Sequence, residues 1–332
     1  RRAARIAVVG GRSDAAFRAL EALPEHAEVC TFIEDLESAA RAAVADCNVI
    51  LMAPTDHHGK EIVDTLLDRM PKLEWIHSRW AGVDSFLTPK LVGRQDVPLT
   101  NARGVFSSSL AEYTLFACGF FSKRARELQQ NQADRKWEKL TVKELRGATM
   151  GVAGFGDIGR SCAVLGKAYG MRILAQRRRP ELCEGDPIVD ESFGQGQEQL
   201  CQMAAESDYF VVAAPLTPQT RQMISADVLA SLKQGAVLIN VGRGPLVDET
   251  ALCDALENED HPLAGVALDV FEHEPLPDTS RLWHNPNALL SPHCADMTPT
   301  FMEDSVHMFV ENVKLFLAGE PLRNLVDKDA GY

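Results

Sequence analysis

A chain of 332 residues exceeds what one compact core usually supports, so two domains are expected, each large enough to bury its own core. Its formal charge of −13, from 34 basic and 47 acidic side chains, argues against nucleic acid or an anionic membrane as the main partner, and no apolar run is long enough to span a bilayer. The eight cysteines are scattered through apolar segments without C-x-x-C or zinc spacing, so reduced thiols, no metal site and a cytoplasmic or organellar protein are expected, the chain beginning at Arg1 with its true N-terminus not visible.

The first apolar runs, Ile6–Gly10, Val29–Phe32 and Cys47–Ala53, alternate with stretches of helical period, Asp14–Ala22 and Asp35–Ala45, which predicts a parallel sheet. A helix is expected over Gly59–Met70, stopped by Pro71, and a strand over Leu73–Ser78. That strand leads into Trp80, Ala81, Gly82, Val83 and Asp84. Ligands of open parallel sheets sit beyond the carboxyl ends of strands, so the N–H groups of this loop are placed to hold a small carboxylate. A plain strand-to-helix turn capped by Asp84 or Ser85 has the same spacing. After a strand at Leu99–Ala102, one long helix is predicted over Ser107–Gln130. Its apolar positions include Leu110, Tyr113, Leu115, Phe116, Phe120 and Phe121, a face suited to bridging two domains or two subunits.

Beyond a polar stretch at Asn131–Arg146, the apolar residues Met150, Val152 and Ala153 run into Gly154, Phe155, Gly156, Asp157, Ile158 and Gly159. This is G-x-G-x-x-G between a strand and a helix that starts near Asp157 and stops at Gly170. The first glycine allows the tight turn, the second a close approach to a pyrophosphate, and the third close packing of helix on strand. The next strand, Met171–Gln176, ends where NAD-binding proteins place an acid on the ribose hydroxyls, yet here Gln176 is followed by Arg177, Arg178 and Arg179. A carboxylate repels a 2′-phosphate and guanidinium forks pair with one, so NADP is expected, with NAD as the alternative and a solvated basic turn as the plain reading.

Further strands at Tyr209–Ala213, Ala236–Asn240, Val266–Val270 and Ala288–Leu290 make the fold class α/β, with two doubly wound parallel-sheet domains. The final helix is predicted over Thr298–Ala318, with Pro299 near its first turn and Gly319 at its end. Three polar spots directly follow strands: Asn240–Gly244, Asp269–Pro275 and Ser291–His293. Their shared position puts them around one crevice.

At these spots the segments LINVGRGPLVDETAL, DVFEHEPLP and LWHNPNALLSPH, together with GVAGFGDIGR, resemble the successive signatures of the D-isomer-specific 2-hydroxyacid dehydrogenases over nearly the whole chain. AGVDSFL at Ala81–Leu87, the missing acid at Arg177 and the ending VDKDAGY are more similar to the glyoxylate/hydroxypyruvate reductase branch than to the phosphoglycerate branch. A chain that stops at Tyr332 is expected to lack the regulatory domain of many phosphoglycerate dehydrogenases.

The resemblance implies a flavodoxin-like substrate-binding domain (1–104 plus 297–332), a Rossmann dinucleotide-binding domain (105–296) and a homodimer. It makes Arg243 the holder of the substrate's carboxylate and carbonyl, and makes His293 and Glu274 a proton-donating dyad. Asp269 matches the aspartate near the nicotinamide carboxamide. Pro215, Thr217, Val241, Gly242, Arg243 and His293 join Gly154–Ile158, Gln176, Arg177 and Arg178 on the nucleotide. Ala81, Gly82 and Val83 match the substrate loop, where Trp80 replaces a small residue. The expected activity is NADPH-dependent reduction of small 2-keto acids, glyoxylate and hydroxypyruvate first. D-lactate or phosphoglycerate dehydrogenase, or a corepressor-like nucleotide-sensing protein, are the alternatives. His57, His58, His273 and His307 have no motif around them and receive no role.

Overall fold

The computed structural model describes residues 2–53 and 58–332, so His57 lies outside the described residues. The chain divides into two compact units, Arg1–Phe106 with Met297–Tyr332, and Ser107–Asp296.

In the first unit β1 (Ala4–Val9), β2 (Ala27–Ile33), β3 (Val49–Met52), β4 (Trp75–Ser78) and β5 (Leu99–Thr100) form one parallel sheet in the order β2-β1-β3-β4-β5, the flavodoxin-like order. Helices α1 (Leu36–Arg41), α2 (Gly59–Arg69) and α3 (Pro89–Gly93) connect the strands. All four residues of β3 are fully buried, which is why this strand is a continuous apolar run and not an alternating one.

The second unit opens with α4 (Ser107–Ser122) and α5 (Ala125–Ala133), continues through α6 (Asp157–Ala168), α7 (Gln197–Glu206), α8 (Ala226–Ala230) and α9 (Glu249–Glu257), and carries a seven-stranded parallel sheet. Its strands are β6 (Thr149–Ala153), β7 (Arg172–Gln176), β8 (Glu191–Phe193), β9 (Tyr209–Val212), β10 (Ala236–Asn240), β11 (Leu263–Leu268) and β12 (Ala288–Leu290). The order β12-β11-β10-β9-β6-β7-β8 starts in the middle, runs to one edge and then returns to the other side, so the strand order reverses between β6 and β9. This is the doubly wound arrangement in which ligands bind at the reversal. The last helix, α10 (Phe301–Ala318), belongs to the first unit, where Phe309 and Phe316 stack on Trp75 at 5.2 and 5.5 Å. Among the described residues no helix is long and apolar enough to cross a membrane.

Several element boundaries correct the sequence reading. The helix predicted over Ser107–Gln130 is two helices. Arg124 adopts the left-handed conformation (φ 53°) between them, where its guanidinium pairs with Glu127 and reaches the Thr141 carbonyl at 3.4 Å. The second helix runs on to Ala133, three residues past the expected end at Gln130 and into the polar stretch. The Ala15–Ala22 segment is a 3₁₀ helix, and α1 is shorter than the Asp35–Ala45 period suggests. Neither Asp84 nor Ser85 caps a helix: α3 starts at Pro89 under the Thr88 hydroxyl, which accepts from the Leu91 N–H at 3.1 Å. α10 starts at Phe301, three residues after the expected Thr298, with Pro299 just ahead of its first turn.

Candidate active site

In the second unit the motifs fall at the carboxyl ends of strands of one sheet. β6 runs into the glycine turn. Gly154 stands at φ +95°, where a side chain is strained, and a Cβ there would lie 2.4 Å from the Ala214 backbone, so turn and packing both require glycine. A Cβ on Gly159 would meet the Gly154 carbonyl oxygen at 2.3 Å and Val152 at 2.8 Å, which would push α6 off β6. At Gly156 a Cβ would meet nothing within 4 Å. Gly156 is also the N-cap of α6 and brings no side-chain cap, so the first N–H groups of this twelve-residue helix, from Asp157 and Ile158 onward, keep their capacity for an anion. Phe155 is buried, and the Asp157 carboxylate accepts a hydrogen bond from Ser107. An open cradle at Gly156 beside an uncapped helix start fits the pyrophosphate of a dinucleotide.

At the end of β7, Gln176 is buried and braces the glycine turn. Its backbone oxygen accepts from the N–H groups of Gly154 (3.1 Å) and Phe155 (2.8 Å), its side-chain oxygen from Gly154 (3.2 Å), and its amide donates to Gly194 (3.2 Å). The Gln176 amide is thus committed to the protein, while Arg177 is half-buried and Arg178 and Arg179 are exposed. Beyond β9, Thr220 ties Pro215 to Thr217, its hydroxyl donating to the Pro215 carbonyl at 2.7 Å and accepting from the Thr217 N–H at 2.8 Å.

The turn after β10 carries Arg243, and Asn240 shapes it. Asn240 Oδ1 accepts from the Gly242 N–H and Nδ2 donates to the Arg243 carbonyl, both at 3.0 Å. Val241 and Gly242 are buried, and a Cβ on Gly244 would fall 1.8 Å from the Phe271 carbonyl, so the residue after the arginine must be glycine for this turn to lie against the one after β11. Arg243 Nη1 donates to the Gly242 carbonyl at 2.9 Å.

Asp269, at 1% exposure, organises the turn after β12. Its Oδ1 accepts from the Ser291 hydroxyl (2.7 Å) and from the N–H groups of Cys294 (3.0 Å) and Ala295 (3.1 Å), and its carbonyl accepts from the His293 N–H (2.8 Å). His293 is held at φ 50°, a conformation few non-glycine residues adopt, and Nδ1 lies 2.7 Å from Glu274 Oε2. Glu274 Oε1 accepts from the Phe271 N–H at 3.0 Å. With Nδ1–H directed at the carboxylate, Nε2 is the nitrogen presented outward. The hydrogen bond to Glu274 lifts His293 above the ordinary imidazole range in spite of burial. Burial pushes the Glu274 carboxyl up, but the bonds from His293 and the Phe271 N–H, with the charges of His293 and Arg243, outweigh it and leave the group below the usual carboxylate range. Arg243 is therefore near enough for its charge to act on both partners.

Trp80, Ala81, Gly82 and Val83 lie in the first unit, at the carboxyl end of β4. Asn101 Nδ2 donates to the Ala81 carbonyl at 2.7 Å and the Ala102 N–H to the Trp80 carbonyl at 3.2 Å, which hold the loop by its oxygens. Among the described residues the N–H groups of Ala81, Gly82 and Val83 donate to no acceptor, as a carboxylate-binding loop requires.

The sequence reading passed over Asn240, Ser291 and Asn101 as individual contributors. The first two stand in strand-end polar spots, a signal sufficient to find them. The Phe271 N–H, a backbone group, leaves no trace in the residue types.

Residues 117–295 match the family model "D-isomer specific 2-hydroxyacid dehydrogenase, NAD binding domain". The chain is 32% identical over 275 residues to a glyoxylate reductase of Aeropyrum pernix, which covers 80% of this chain and 79% of the relative. A solved D-isomer specific 2-hydroxyacid dehydrogenase of Xanthobacter autotrophicus, in complex with NADPH and MES, is 31% identical with a TM-score of 0.81, over 99% of this chain and 100% of that one. An NADPH-dependent glyoxylate/hydroxypyruvate reductase of Sinorhizobium meliloti, in complex with NADP and sulfate, is 26% identical with a TM-score of 0.81 over 100% of both chains.

Proposed function

Because the chain belongs to the D-isomer specific 2-hydroxyacid dehydrogenase family and is an NAD(P)-dependent oxidoreductase, we propose that it reduces small 2-keto acids, glyoxylate and hydroxypyruvate first, with NADPH. The observation that carries this reading is the 2.7 Å pairing of His293 with Glu274, with Arg243 in electrostatic reach, in the same unit as the glycine cradle. The bound nicotinamide nucleotide supplies the hydride. Arg243 holds the substrate carboxylate and carbonyl oxygen, a task suited to a planar and permanently charged fork. His293 gives its Nε2 proton to that oxygen as the carbonyl carbon is reduced, and Glu274 keeps the ring oriented and stabilises its charged form. Asp269 fixes the His293 turn and, by the family resemblance, would serve the carboxamide of a bound nicotinamide. The residues from 107 to 296 serve as the dinucleotide-binding domain. The first unit serves as the substrate-binding domain, where the N–H groups of Ala81, Gly82 and Val83, without an acceptor among the described residues, are of the kind that binds a carboxylate.

NADPH is chosen on Arg177 and Arg178, which stand where an acid would exclude a 2′-phosphate, and the nucleotides named with the solved relatives support that choice. A homodimer is part of the same reading. It rests on the aromatic face of α4, where Phe116 is 56% exposed.

Initial rates with glyoxylate, hydroxypyruvate, pyruvate and 3-phosphohydroxypyruvate, each with NADPH and NADH, test the proposal. The highest kcat/KM is expected for glyoxylate or hydroxypyruvate with NADPH. Nucleotide binding without turnover of any keto acid would point instead to a sensing protein.

A further inference from the structure

Arg79 follows β4 directly, one position before the loop, and is 1% exposed. Its Nη1 donates to Asp14 Oδ2 at 2.5 Å, and Asp14 is itself fixed as the N-cap of the 3₁₀ helix, accepting from the Ala16 N–H at 2.9 Å. The guanidinium carbon sits 5.0 Å from the Trp80 ring centre and 5.5 Å from that of Phe17, while Phe106 flanks Trp80 at 6.4 Å. Such a placement resembles a stability device only in part. Arg79 Nε is a buried donor with no partner among the described residues, and Nε2 of His77, two positions earlier in the chain, is likewise buried without one. The surroundings are dry: burial pushes His77 down to about 3, so the imidazole is neutral there. A buried ion pair with an unmet donor is no better for stability than an apolar side chain of similar size, and local rules are commonly broken where function requires it.

We propose that Arg79 is a positioning residue for the substrate loop: clamped by Asp14, its guanidinium is the floor on which the Trp80 indole rests, and this sets the direction of the Ala81, Gly82 and Val83 N–H groups. The inference rests on the reading of this loop as the carboxylate holder. The charge near the indole and the clamp on Asp14 are both used, so lysine, a cation without the fork, replaces arginine only in part. Loss of the floor lets the indole and the loop rearrange, which weakens keto-acid binding and leaves the chemistry at His293 and the nucleotide cradle of the other unit intact.

The test compares Arg79→Met, Arg79→Lys and Asp14→Asn with the unaltered protein. Arg79→Met should raise KM for hydroxypyruvate about tenfold, the scale of a lost cation–π contact and its loop ordering, with kcat and KM for NADPH within about twofold. Arg79→Lys should recover part of the loss. Amide hydrogen exchange in a peptide covering residues 80–87 should be faster in Arg79→Met and in Asp14→Asn, measured without substrate. This arm is independent of turnover: an unaltered protein that reduces no keto acid sinks the functional reading, while exchange still judges Arg79. Unchanged exchange in residues 80–87, or KM for hydroxypyruvate and NADPH rising together, would overturn the proposal. If Arg79→Met fails to fold, Asp14→Asn decides by the same readouts.

Discussion

In the proposed reaction, His293 and Glu274 are two ordinary side chains turned into an acid and its support. The proton of the imidazolium is held by a carboxylate that also accepts a backbone N–H, so the charged ring is favoured above the pH at which a free histidine loses it. Reduction needs that proton, so kcat/KM for a keto acid should be flat at low pH and fall as pH rises through the lifted His293 value. Replacing Glu274 by Gln removes the negative charge but preserves size. The falling limb should then move to lower pH, and activity at neutral pH should drop about tenfold or more. A limb that stays in place in the Gln variant would detach Glu274 from the proton donor. The linkage to stability follows from the same directions. The raised histidine contributes below its unfolded-state value and loses this as pH rises through the folded one. The lowered glutamate contributes above its unfolded-state value and loses this as pH falls through the folded one. The pair therefore helps most between the two unfolded-state values, weakly, because both side chains are more than a third exposed.

Arg177 and Arg178 act at the same scale. A hydrogen bond to a charged group contributes about 1.5–3 kcal/mol, so one such contact to a 2′-phosphate gives about tenfold or more in favour of NADPH, and salt should reduce it. Arg177→Asp with Arg178→Ser should weaken NADPH binding and spare or improve NADH. Equal kcat/KM for the two nucleotides in the unaltered enzyme at low salt would make the arginines a solvated turn.

At the scale of elements, α10 shows what holds the first unit together. Phe309 is fully buried and stacks on Trp75, so Phe309→Ala should cost about 3–5 kcal/mol and lower Tm, with little effect on nucleotide affinity; a Tm within a degree or two of the unaltered protein would contradict this. Much of this level is legible in residue types. β3 is an unbroken apolar run and β10 is one up to its last residue, Asn240, and Gly154 and Gly159 are where their neighbours forbid a Cβ. The break after Ser122 is not legible. No glycine or proline marks it, and the left-handed Arg124 is maintained by contacts with Glu127 and with the distant Thr141 carbonyl. The loop after β4 was open between a carboxylate site and a capped turn. Thr88, not Asp84 or Ser85, caps the next helix, and that follows from the position of Pro89. At the site, the strand-end rule gathers Arg243, Glu274 and His293. The Asp269 contacts that hold the His293 turn involve backbone groups which no spacing encodes.

At the scale of the whole molecule, the α4 face, with Phe116 exposed and Tyr113, Phe120 and Phe121 half-buried, borders an open groove of about 510 Å³ lined by Phe116, Phe120, Arg126, Gln129, Gln130 and Leu289. Apolar surface of this kind left open to water favours association, and a two-fold dimer would bury it. Sedimentation should give a dimer at micromolar concentration, and Phe116→Glu should shift it toward monomer; a monomeric unaltered protein would rule the dimer out. The central proposal is narrower: one histidine, set by Asp269 and Glu274, delivers the proton, and the same unit holds the nucleotide. Its most direct measurement is the turnover of hydroxypyruvate with NADPH in His293→Ala, alongside the Kd for NADPH. The account predicts a loss of about a hundredfold or more in kcat with Kd nearly unchanged, whereas near-normal turnover would remove His293 from the mechanism.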